Sequence, residues 1–109
     1  MENQTVNEGK TIAIISYLTI IGTIVAYVMN TSKKNTFASF HIRQMIGIFI
    51  LGIINKYVIY DVIGSFFGWT VGIFVFILWV IGFIAAIKGE EKTVPILGEY
   101  FQEWFKSIN

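Results

Sequence analysis

The side chains best suited to chemistry are gathered in one short run, Phe40-His41-Ile42-Arg43-Gln44. On a helix, residues three apart share a face, so His41 pairs with Gln44 and Phe40 with Arg43. An imidazole, a guanidinium and an amide so placed could line the polar mouth of a pathway among membrane helices. Equally, Arg43 could join Lys33 and Lys34 in a cationic collar on lipid headgroups, with His41 bonded to backbone or headgroup. Both readings stay open on sequence alone. Metal or haem ligation has little support, because His41 is the only histidine. Zinc wants three or four ligands, and a bis-histidine haem would need two copies of the chain. With no cysteine there is no thiolate ligand, disulfide or cysteine nucleophile. There is also no serine–base arrangement, no carboxylate pair within an apolar run and no Gly-rich phosphate loop, so no enzyme activity and no cofactor is expected.

The elements that carry this run must lie in a membrane. Of 109 residues, 55% are apolar and 14% charged, against about 25% charged in ordinary soluble domains. Between residues 11 and 87 the only charges are Lys33, Lys34, Arg43, Lys56 and Asp61. A soluble fold needs a polar outer face on each element, which this stretch cannot supply. Net charge +1 with 17% aromatic residues excludes a disordered chain and a nucleic-acid partner.

Three largely apolar runs read as membrane spans. Residues 1–11 form a polar N-terminus, and residues 12–29 then make a helix about 27 Å long, near the hydrocarbon thickness. A cleaved leader is disfavoured, since the basic n-region and small-residue cleavage site are missing. The turn Asn30-Thr-Ser-Lys-Lys-Asn-Thr36 is rich in capping residues and precedes a second span placed at 42–60. A third, at 66–87, closes on Lys88-Gly89, a cation and a glycine suited to a helix end. The apolar runs are continuous, not alternating, which excludes membrane strands. From near residue 95, Leu97, Tyr100, Phe101, Trp104, Phe105 and Ile108 share a helical face opposite Glu99, Gln102, Glu103 and Lys106. This amphipathic helix is expected to lie in the interface, anchored by Tyr100, Trp104 and Phe105.

The fold class is therefore all-α: three transmembrane helices plus a C-terminal interfacial helix. Gly64, Gly68 and Gly72 repeat every four residues, and Ser16, Thr19, Thr23 and Ala26 make a similar small stripe on the first span. Such stripes let backbones approach closely in lipid, and the two are expected to pack the three helices on one another; a homo-oligomer face is the alternative. Lys56 and Asp61, five apart, fit α-helical pairing poorly and read as a solvated outer loop. With three spans, Lys10 and Lys56 fall on one side, and Lys33, Lys34, Arg43, Lys88, Lys92 and Lys106 on the other. The positive-inside rule then puts the N-terminus outside and the C-terminus in the cytoplasm.

Phe40-His41-Ile42-Arg43-Gln44 resembles the Phe-His-x-Arg-Gln signature of a family of small bacterial membrane proteins of unknown function. That family is similar to the twenty-kilodalton Tic component of the chloroplast inner-envelope import machinery. The segment 78–90, Leu-Trp-Val-Ile-Gly-Phe-Ile-Ala-Ala-Ile-Lys-Gly-Glu, looks like that family's last span, with Pro95 shortly after. The resemblance covers residues 10–98 and implies a Tic-like membrane domain over 12–98, in a bacterial inner membrane, whose relatives have no settled activity; residues 99–109 lie outside it. Two functions follow as expectations. One is a non-enzymatic subunit packing on further copies of itself or on a larger membrane complex. The other is a component of a protein-import or transport pathway built by several copies or a partner.

Overall fold

The computed structural model describes residues 4–108. Helix α1 is Gln4–Ser16, α2 Ile20–Lys33, α3 Thr36–Ile54, α4 Ser65–Lys88 and α5 Gly98–Trp104; α3 runs directly into a π-helical stretch, Asn55–Ile63. No strand occurs among the described residues.

The first span expected at 12–29 does not form. Its helix stops at Ser16, whose Oγ turns back onto Ala13 O at 2.6 Å. Thr19 is extended (φ −155°, ψ 175°) and caps α2 by accepting the Gly22 N–H on Oγ1. Thr23 Oγ1 then donates to Ser16 O at 2.7 Å, while far from the break Asn35 Nδ2 donates to Thr5 O at 2.8 Å. Residues 16 and 23 are thus neighbours, and so are 5 and 35: α1 and α2 form an antiparallel hairpin. Each arm, 13 and 14 residues, extends about 20 Å, short of the roughly 30 Å needed to cross. The N-terminal segment and the turn before α3 therefore sit at the same end of the bundle, not at opposite ends as three spans required. The tip is paired within the protein: Trp79 Nε1 donates to Tyr17 O at 2.7 Å, and the Tyr17 and Leu18 N–H groups bond Ile14 O and Ile15 O. Backbone that departs from a helix at membrane depth needs this kind of internal pairing.

Two helices are long and apolar enough to cross a membrane, Thr36–Ile63 and Ser65–Lys88. They run antiparallel and meet at Gly64, whose φ of 145° suits glycine. Gly89 ends α4 in the left-handed region (φ 78°), its N–H on the carbonyls of Ala85 and Ala86, the cap expected after Lys88. The first of these helices contains the span expected at 42–60 and reaches from Thr36 to Ile63. Its π-helical part explains the pairing of Lys56 with Asp61, Nζ to Oδ1 at 3.0 Å and to Oδ2 at 3.2 Å. A π turn bonds i to i+5 and brings five-residue neighbours together, so this pair stands on a helix, not in a loop.

The first half of α3 is the hub. Phe37, Ala38, His41, Ile42, Gln44 and Met45 are all buried there, with α1, α2, α4 and α5 packed around them. Tyr17, Leu78 and Phe101 reach into the same core. Outward, α2 presents Ile21, Ile24 and Val28, exposed by 72%, 59% and 60%. Such a face costs free energy in water and none against lipid chains.

Candidate functional site

The structure buries His41 and Gln44 completely, so neither lies on a polar rim. Both belong to one closed hydrogen-bond network. Gln44 Nε2 donates to Tyr17 Oη at 3.0 Å and to Lys92 O at 3.2 Å, while Gln44 Oε1 accepts the Val94 N–H at 2.8 Å. Tyr17 Oη lies 2.7 Å from His41 Nδ1, and His41 Nε2 lies 2.8 Å from Glu90 O. The proton positions follow. Glu90 O can only accept, so Nε2 carries the hydrogen, and Nδ1 of the neutral ring accepts from the Tyr17 hydroxyl, which is itself free to accept from Gln44. The aromatic rings of Tyr17, Phe37 and Phe40 surround the imidazole, with centroids 5.4, 4.8 and 5.1 Å away.

This network joins three parts of the chain: the hairpin tip through Tyr17, the hub through His41 and Gln44, and the segment 90–94, which continues from α4 toward the tail. Gly82 lets Tyr17 in, since a Cβ there would stand 2.8 Å from the ring. The helical register that puts His41 and Gln44 on one face also puts Arg43 on another. Arg43 Nε donates to Ile108 O at 2.9 Å, and Gln102 Nε2 donates to Phe40 O at 2.8 Å. Arg43 Nη2 lies 3.4 Å from Lys106 O. The guanidinium thus holds the carbonyls that follow α5, where positive charge is favoured. Phe101, buried, lies on Gly47, where a Cβ would enter its ring.

The signature run is therefore the fastener of the C-terminal tail. Arg43 is not grouped with Lys33 and Lys34, which stand exposed at the end of α2. The tail helix, expected from near 95, is only the seven residues of α5. Tyr100 and Trp104 face outward and Phe105 is half-buried. The two small-residue stripes do not meet: Gly68 faces Tyr60 and Gly72 faces Asn55, both on the π-helical stretch, whereas Ser16 and Thr23 tie α1 to α2. Gly64 lies at the break between helices.

Tyr17 and Trp79 carry much of the polar structure without any role expected from the sequence, whereas Asn30 and Asn35 belong to the turn expected to cap the second helix. Asn30 takes the Asn35 N–H on Oδ1 at 2.9 Å and gives Nδ2 to Ser39 Oγ at 2.8 Å, and Asn35 caps α3 by accepting the Ala38 N–H. For Tyr17 the available signal was a phenol within an apolar run, because a buried hydroxyl must find a partner. Among the described residues, no three of His, Asp and Glu gather as a metal set.

Comparison with known proteins gives the family. A UPF0132 membrane protein of Methanocaldococcus jannaschii is 29% identical over 89 residues, covering 78% of this chain and 76% of the relative. No solved structure matches. A small membrane-protein family of poorly defined function was the right class, but the comparisons give no support to the Tic-like resemblance. Residues 8–101, most of the chain, match a different family, and the protein belongs to it: the magnetosome magnetite crystal formation protein family.

Proposed function

We propose that this is a non-enzymatic membrane subunit with two spans and a re-entrant hairpin, acting by packing on further copies or on a larger membrane assembly. One observation carries the reading: the reactive polar groups of the signature run are bonded within the chain itself, to Tyr17 and to the backbone of the tail. What the bundle offers its surroundings in the membrane is an apolar surface of helix faces. The family's name speaks of crystal formation; packing is the role that the exposed apolar helix faces of this chain support. Purification from native membranes in mild detergent, with identification of whatever co-purifies, tests it. A stable complex or defined oligomer is expected, and a clean monomer would overturn the reading.

The hairpin changes the orientation that charge implies. Lys10, Lys33, Lys34, Arg43, Lys88, Lys92 and Lys106 all belong to the end holding both termini, leaving Lys56 at the other. By the positive-inside rule the termini are cytoplasmic, so the N-terminus is inside rather than outside. The chain has no cysteine of its own, so introduced thiols report cleanly. In intact cells, an impermeant maleimide should label D61C and spare N7C, S32C and S107C. Labelling of N7C with S32C protected would restore a first span and sink this topology.

A further inference from the structure

The hairpin ends partway down the two spanning helices, and beneath its tip a cleft of about 570 Å³ opens between α3 and α4. Tyr17, Leu18 and Thr19 roof it, and Ile48, Val75 and Phe76 contribute to its walls. Lys56 and Tyr57 border it toward the far end. The volume falls within the roughly 300–1,000 Å³ of small-ligand sites.

We propose that this cleft binds one acyl chain of a phospholipid from the far leaflet, with its phosphate on the Lys56 ammonium. Three features select this occupant. The walls are apolar and offer an alkyl chain only dispersion contacts, which is what holds neighbours together in lipid. The roof limits depth: a spanning helix from a second copy, laid along the cleft, would run into Leu18 and Thr19, whereas an acyl chain ends where a leaflet ends. The far end carries the matching charge. Lys56 Nζ lies 5.3 and 5.5 Å from the rings of Tyr57 and Tyr60, and Trp69 is exposed near the start of α4, at the same Gly64 end of the helix pair. Tyrosine, tryptophan and lysine together mark the headgroup level of a membrane protein. Lys56 is bound to Asp61 but remains 58% exposed at its side chain, which leaves it open to a lipid phosphate alongside that carboxylate.

Glycines in the walls supply the test. A Cβ at Gly52 meets nothing within 4 Å, and at Gly72 the nearest atom is Asn55 Nδ2 at 3.5 Å. G52L and G72L therefore fill the cleft from opposite walls without a backbone clash. I73L, on the exposed face of α4, is the control. The full-length proteins would be purified from nanodiscs of phosphatidylethanolamine and phosphatidylglycerol and analysed by native mass spectrometry. Wild type and I73L should retain one phospholipid per protomer after delipidation. G52L and G72L should lose it while keeping the wild-type elution volume and thermal midpoint. K56Q should weaken phosphatidylglycerol retention about tenfold, the loss of one charge-assisted hydrogen bond. Equal retention in the filled and control variants would overturn the proposal. So would a lipid-free wild-type dimer that the fillers dissociate, since a second copy would then be the occupant. If one filler fails to insert, the other decides.

Discussion

Where the termini gather, α3 is enclosed by the hairpin, α4 and the tail, and its side chains interlock through Tyr17, His41, Gln44 and Arg43. Toward Gly64 the same helix, now π-helical, has α4 beside it and little else. The first region holds its shape by polar groups that complete one another inside an apolar core. The second is held by glycine-to-ring contacts, such as Gly68 on Tyr60, and by an exposed ion pair. Mutational sensitivity should therefore fall steeply along one helix within about twenty residues.

The largest effect is expected at the fastener. Q44L leaves the Val94 N–H without its acceptor and Tyr17 Oη without a donor, in a site sealed from water. At about 1–3 kcal/mol for each stranded group, a loss of roughly 3 kcal/mol should show as a lowered thermal midpoint in detergent. Residues 90–108 should become open to protease in the same variant; unchanged proteolysis would separate the network from the tail. Next comes R43A, which frees the Ile108 carbonyl and should cost about 1–2 kcal/mol. R43K should recover only part of this, because an ammonium cannot reproduce the spread of a guanidinium.

At the other end the expectation is close to neutral. Asn55 Nδ2 bonds Gly68 O, but its Oδ1 is a buried acceptor with no partner. N55L gives up one bond and one uncompensated acceptor together, so stability should move by less than about 1 kcal/mol. A large loss there would erase the contrast between the two regions. The smallest effect belongs to Ile96, a β-branched residue held at φ 70° and exposed by 77%. I96G should relieve about 1 kcal/mol of backbone strain, offset in part by the greater freedom of an unfolded glycine. Chemical denaturation read by tryptophan fluorescence would rank all four.

Much of this was legible in the chain. The stretch 66–87 became α4 almost to the residue, because uninterrupted apolar sequence closed by Lys88-Gly89 leaves little else to form. The second helix is legible too, but its polar first turns read as lying at the membrane surface, whereas the structure buries His41 and Gln44 within the bundle. The first run misled because length and lack of charge were all it offered: no proline or glycine stands at residues 17–19. The turn is made by Thr19 as a cap, Thr23 across the hairpin and Trp79 sixty-two residues away. Ser16, Thr19 and Thr23 had been read as a packing stripe, when their hydroxyls were the sign of backbone needing partners. At the signature run, spacing groups His41 with Gln44 and separates Arg43, as the structure does, but the expected polar rim is a buried network. Spacing fixes which side chains share a face, but only the return of the tail decides that the face looks inward.

The hairpin also bears on how the protein enters its membrane. In the topology proposed, the N-terminal segment with Glu8 and Lys10 never has to be carried across, and neither does the turn with Lys33 and Lys34. The ionised cargo that must pass the hydrocarbon is Lys56 and Asp61, and they are bonded to each other. Delivered as a neutral pair on a helical turn, that cargo needs little help from an insertion machine. The two long helices can go in as one unit, and the short arms can fold down against them afterwards, from the side on which they were made.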